Sequence, residues 1–133
     1  LSKHAIPAMI KTAKGGAIVN ISSIPALRPR GLTTYTTSKA AVIGLTQAMA
    51  VDHGRDNIRV NCIAPGPTNT PIHASWADDL DEAYRWLKSQ VPLGRIGDPA
   101  EVARWIALLM SPASSFMTGA VIPLDGGQVI PHA

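Results

Sequence analysis

The chain has 133 residues, 46% hydrophobic and 16% charged, which is enough apolar mass for one packed core and excludes a disordered or solvating tail. Its formal net charge of +3 comes from scattered basic residues, with no Lys/Arg run or interleaved aromatics, so no nucleic-acid footprint is expected. The single cysteine, Cys62, excludes an intramolecular disulfide framework and fits a reducing compartment, and no apolar run approaches the roughly 20 residues that span a bilayer.

In chain order, Ser2 to about Ala13 reads as a helix, with Ile6, Met9 and Ile10 on one side and Gly15-Gly16 ending it. Ala17 to Ile21 is a short β-branched apolar run, the pattern of a strand covered on both faces. Ser22 to Thr33 carries Pro25, Pro29 and Gly31 and is expected to be a loop. Thr34 to His53 is helical, with Gly54 expected as its left-handed cap. Ala40, Gly44 and Ala48 form a small-residue stripe on that helix, open to two readings: packing on the sheet, or a subunit interface.

Ile58 to Ala64 is a second strand, stopped by Pro65-Gly66-Pro67. Thr68 to about Gln90 is polar and Trp-bearing, with helix expected around Asp79 to Lys88. Asp98-Pro99-Ala100-Glu101 starts a helix that runs to about Met110: Asp98 caps, Pro99 takes the first helical position and Glu101 completes a capping box. Ala120 to Leu124 is a third strand, followed by an Asp125-Gly126-Gly127 turn. Strands alternating with helices imply parallel pairing, hence an α/β doubly wound sheet. The first strand is too apolar for a solvated edge, and the chain does not begin with Met. Both features lead us to expect further strands beyond this sequence.

Tyr35 and Lys39 are four apart and therefore neighbours on one helix face, where the ammonium favours phenolate over phenol. Spacing alone is weak grounds for catalysis, since Tyr84 and Lys88 repeat it and are expected to form only a solvated helix face. The setting of the first pair is stronger. Asn20-Ile21-Ser22-Ser23 ends one parallel strand and Pro65-Gly66 ends the next, and ligands bind outside the carboxyl ends of such strands. A serine there can donate to an oxygen gaining negative charge. The histidines, His4, His53, His73 and His132, show no metal-ligand spacing, and Cys62 is expected to be a buried apolar residue.

Asn20-Ile21-Ser22-Ser23, Tyr35-Thr36-Thr37-Ser38-Lys39 and Asn61 to Thr70 together resemble the short-chain dehydrogenase/reductase family. So do Pro92 to Ala103, Thr118-Gly119 and Asp125-Gly126-Gly127, which extends the likeness over essentially the whole chain. The resemblance implies the C-terminal catalytic half of one Rossmann-like domain over residues 1–133, with a lid at about 71–91. It implies hydride transfer between NAD or NADP and an alcohol/carbonyl pair. Tyr35 would be the acid/base, Lys39 would assist it and hold the nicotinamide ribose, and Ser23 would polarise the substrate oxygen. Pro65, Gly66, Thr68 and Thr70, with Tyr35 and Lys39, would carry the cofactor.

The 11 residues between Ser23 and Tyr35 are one fewer than is common in the family; counting back would select Ser22, whereas the strand-end motif selects Ser23, which we favour. The family's Gly-rich loop is absent from this sequence, so the cofactor pyrophosphate has no cradle here. A small carbonyl or alcohol substrate, a homodimer or homotetramer and a cytoplasmic location are expected, with no nucleic-acid or membrane partner. A non-catalytic assembly unit, or an epimerase or dehydratase using the same pair, are the alternatives. Trp76, Leu80, Tyr84 and Trp86 point either to an apolar substrate surface or to amphipathic packing.

Overall fold

The computed structural model describes residues 1–13, 15–72 and 79–131. Its elements run α1 (Ser2–Ala8), β1 (Gly16–Ile21), α2 (Thr33–His53), β2 (Ile58–Pro65), α3 (Leu80–Ser89), α4 (Pro99–Met110) and β3 (Val121–Leu124). The three strands form one parallel sheet in the order β1-β2-β3, the α/β arrangement expected from the alternation of elements.

Side chains alternate across a strand, so β2 presents two faces. Ile58 and Val60 join Ile6, Met49 and Ala50 in a buried cluster, with Met9 and Ile18 packed against it; this is the layer in which α1 and α2 cover the sheet. Burying each of the larger aliphatic side chains contributes roughly 1.5–3 kcal/mol. The alternate residues Arg59 and Asn61 face the other way. Arg59 donates to Ser114 Oγ (2.9 Å) and the Ser111 carbonyl (3.1 Å), and Asn61 Nδ2 donates to the Met117 carbonyl (2.8 Å). Asn61 Oδ1 accepts from the Ala120 amide at 3.1 Å. These bonds tie the turn after α4 to the sheet and set where β3 begins.

Several local expectations change. The first helix leaves α geometry after Ala8 and continues as a wider π turn over Met9–Ala13. Gly16 belongs to β1, and a side chain there would strike Met9 Sδ at 2.8 Å, so the glycine admits the methionine. β1 is half-buried rather than covered on both faces, with Ile21 40% exposed, because its outer edge has no strand partner among the described residues. The loop after β1 includes a 3₁₀ turn at Ile24–Ala26.

Gly54 is not a left-handed cap. It is right-handed (φ −57°, ψ −40°) and opens a 3₁₀ turn, and the chain reverses at Asn57 (φ 57°) three residues later. The Ala40-Gly44-Ala48 stripe does not pack on the sheet: all three residues are exposed, and a β-carbon at Gly44 would meet nothing within 4 Å. The capping box of α4 forms as read, with Asp98 Oδ1 accepting from the Ala100 amide at 2.7 Å and Glu101 Oε2 from the Asp98 amide at 2.8 Å. Among the described residues no helix is long and apolar enough to cross a membrane.

Candidate active site

Helix α2 is fastened to the carboxyl end of β1 at two levels. Asn20 Nδ2 donates to Thr46 Oγ1 at 2.9 Å, and Thr46, fully buried, donates in turn to the Val42 carbonyl at 2.8 Å. Nearer the rim, Ser22 Oγ donates to the Lys39 carbonyl at 2.7 Å. Ser22 is 2% exposed and its hydroxyl is committed to the helix backbone. Ser23 is half-buried and extended (φ −163°, ψ 154°), and its hydroxyl makes no hydrogen bond among the described residues. Of the two serines, Ser23 is the one with a donor to spare.

Gly31 (φ 84°) and Leu32 (φ 52°) are both left-handed, and this double reversal delivers the chain into α2 at Thr33. Thr36 steadies the turn by donating from Oγ1 to the Gly31 carbonyl at 3.0 Å. Tyr35 therefore lies in the first helical turn, 38% exposed, with no hydrogen-bond partner for its hydroxyl among the described residues. One turn on, the Lys39 ammonium lies 5.8 Å from the centre of the Tyr35 ring and donates to the Ile21 carbonyl at 3.2 Å. An ammonium has three N–H donors. With one held by Ile21, the chemistry of this group suits the hydroxyls of a ribose as well as the phenol.

The segment after β2 is held by backbone contacts. Pro65, Pro67, Thr68 and Thr70 are half-buried, as is Gly66, whose amide donates to the Leu124 carbonyl at 3.0 Å. A β-carbon at residue 66 would lie 2.7 Å from Asp125 Cα, so the glycine is required by the β3 turn irrespective of any ligand. Thr68 Oγ1 donates to the Gly66 carbonyl at 3.1 Å, and the Asn69 amide donates to the Gly97 carbonyl at 2.9 Å.

Tyr84, expected on a solvated face, is half-buried, and its hydroxyl donates to Asn69 Oδ1 at 3.1 Å; Lys88 is exposed. Sequence spacing missed this bond because its partner lies outside the helix. Leu80 and Tyr84 share a face of α3 with the buried Leu87, whereas Trp86 points away and is 57% exposed. Trp76, with the rest of residues 73–78 in the stretch where a lid is expected, lies outside the described residues.

A cavity of about 570 Å³ opens beside this segment, between Pro67, Thr68, Leu93, Trp105 and the Asp125–Gly127 turn; Ser23, Tyr35 and Lys39 do not line it. At its rim Arg95 and Glu101 form a two-pronged ion pair at 2.7 and 2.8 Å. The Arg95 bond, followed by the Asp98 amide, lowers the Glu101 carboxyl to about 2. Beneath the site, burial raises the Cys62 thiol, which fits an inert residue packed under α2. Among the described residues no group of three or more His, Cys, Asp or Glu is placed to hold a metal ion.

A family model described as enoyl-(acyl carrier protein) reductase matches residues 1–128. The chain is 49% identical over 121 residues to a 3-oxoacyl-[acyl-carrier-protein] reductase of Chlamydia trachomatis, covering 90% of this chain and 47% of that protein. Among solved structures, the aldohexose dehydrogenase of Thermoplasma acidophilum superposes with a TM-score of 0.89 at 36% identity, over 98% of this chain and 54% of that one. A short-chain type dehydrogenase/reductase from Mycobacterium marinum gives 0.85 at 37% identity, over 98% and 51%. The chain spans about half the length of the curated relatives it matches.

Proposed function

The chain belongs to the short-chain dehydrogenase/reductase family, and we propose that it carries the acid/base half of an NAD- or NADP-dependent oxidoreductase site that interconverts an alcohol and a ketone or aldehyde. The observation that supports this best is the placing of Lys39, whose ammonium lies beside the Tyr35 ring while anchored to the last carbonyl of β1. Bound NAD(H) or NADP(H) would supply or accept the hydride.

In the reducing direction Ser23 donates a hydrogen bond to the substrate carbonyl oxygen, which draws electron density from the carbon that accepts the hydride. As the carbon–oxygen π pair moves onto oxygen, Tyr35 gives that oxygen its phenolic proton. Lys39 attracts the negative charge left on the phenol oxygen and offers its remaining donors to the ribose. Pro65, Gly66, Thr68 and Thr70 would hold the nicotinamide at the end of β2. Oxidation runs through the same groups in reverse.

On this reading, residues 1–133 are the C-terminal catalytic half of one Rossmann-like domain, and the whole protein supplies the Gly-rich phosphate loop. Its relatives' lengths support that division. The same reading proposes a cytoplasmic homodimer or homotetramer; the exposure of the Ala40-Gly44-Ala48 face, with Leu45 and Val51 beside it, supports that face as the self-association surface. The test is Tyr35→Phe in the whole protein: turnover of a small carbonyl with reduced nicotinamide should fall by roughly two to four orders of magnitude. Unchanged turnover would refute the reading.

A further inference from the structure

The two serines at the end of β1 do different work, and we propose that Ser22 is a positioning residue that sets Lys39 for its role beside Tyr35. The inference rests on the acid/base reading above. Consecutive residues of one strand end grip Lys39 at both ends: Ser22 Oγ holds its backbone carbonyl at 2.7 Å, and the Ile21 carbonyl holds its ammonium at 3.2 Å.

The first bond is not needed by the helix. In an α-helix the carbonyl of residue 39 already accepts from the amide of residue 43. Ser22, by contrast, is 2% exposed, so its hydroxyl would be an unsatisfied buried donor without this acceptor. The bond therefore fixes one turn of α2 against β1 at the rim, where the reacting groups lie. A lysine stem has high rotamer freedom; pinning its Cα end leaves the head one short arc, on which the Ile21 carbonyl and the Tyr35 ring both lie.

The molecule contains its own control. The Asn20–Thr46 bond fastens the same helix to the same strand seven residues further along α2, and it does not touch Lys39. If fastening the helix were all that mattered, losing either bond would have the same consequences. If Ser22 positions Lys39, only its loss reaches the chemistry.

The experiment compares Ser22→Ala, Ser22→Thr, Thr46→Val and Tyr35→Phe in the whole protein, with an acetoacetyl thioester reduced by NADH or NADPH. Ser22→Ala should lower kcat about tenfold with KM little changed and displace the pH–rate profile, since small misplacements of a reacting group cost one to two orders of magnitude. Ser22→Thr should restore much of the loss. Thr46→Val should lower thermal stability to a similar degree while leaving the profile in place. Equal falls for Ser22→Ala and Thr46→Val with an unmoved profile would overturn the proposal.

A second readout separates this inference from the reading beneath it. The isotope-labelled ammonium resonance of Lys39 should shift or broaden in Ser22→Ala and not in Thr46→Val. No change in either variant overturns the positioning role, whatever Tyr35→Phe does; full turnover in Tyr35→Phe overturns the acid/base reading, whatever the resonance does.

Discussion

Gly66 and Asp125 approach so closely that a β-carbon built on Gly66 would lie 2.7 Å from both Cα and Cβ of Asp125. The contact is between backbones, joined by the Gly66 amide to the Leu124 carbonyl at 3.0 Å, so no flexible side chain can yield. Gly66→Ala must push the end of β2 away from the β3 turn. We predict a loss of about 1–3 kcal/mol, as for other overpacked sites, measured as a lowered denaturation midpoint. An unchanged midpoint would show that the two turns separate freely.

At Gly54 the expected sign is the opposite. Its right-handed backbone suits any L-residue, and a β-carbon there would meet nothing within 4 Å. Gly54→Ala should therefore stabilise the fold by about 0.4–1 kcal/mol, chiefly by restricting the unfolded chain. Asn57→Ala, which forces alanine into the left-handed region, should destabilise it by about 1–2 kcal/mol. Thermal melts of the two variants should move in opposite directions; a destabilised Gly54→Ala would mean that this residue is the left-handed one after all.

Asn61 is the buried polar hinge between β2 and the start of β3. It is 1% exposed, donates to the Met117 carbonyl and accepts from the Ala120 amide. Asn61→Leu leaves both backbone groups without their partner, which costs roughly 1–3 kcal/mol for each group left buried and unsatisfied. Hydrogen exchange should show faster exchange of the Ala120 amide than of the Ser22 amide, which bonds to the Ile63 carbonyl on the other side of β2. Uniformly faster exchange of both would refute a local effect.

The Arg95–Glu101 pair gives a pH dependence of defined sign. The folded carboxyl is lowered from 4.5 to about 2, so the stability it contributes is fully present above about pH 4.5 and fades as pH falls toward 2. Arg95 stays charged throughout. Both side chains are exposed, so the effect is modest and weakened by salt. Glu101→Gln should lower the melting midpoint at neutral pH and converge with the unaltered protein in acid. A difference that does not change with pH would assign the effect to the capping hydrogen bond alone.

Features whose chemistry closes within a few residues were legible in the sequence. Asp98, Pro99 and Glu101 specify the start of α4 because the cap reaches only two or three residues. The parallel sheet followed from the alternation of strands and helices. Gly54 was misread because a glycine fits either hand of helix, and it was Asn57 that took the left-handed position. The Tyr84–Asn69 bond spans 15 residues and no local pattern announces it. Alternation could say that Ser22 and Ser23 face opposite ways; only the packing of α2 determines which of them meets the Lys39 carbonyl.

The central claim is hydride transfer at a site whose proton is handled by Tyr35. It is tested most directly by giving the whole protein a ketone or 3-oxoacyl thioester with nicotinamide deuterated at its hydride-donating carbon, and locating the label by mass and magnetic resonance. The account predicts one deuterium on the new carbinol carbon and a proton from solvent on its oxygen, with product lost in Tyr35→Phe. Unlabelled alcohol, or labelled alcohol formed equally well without the Tyr35 hydroxyl, would contradict it.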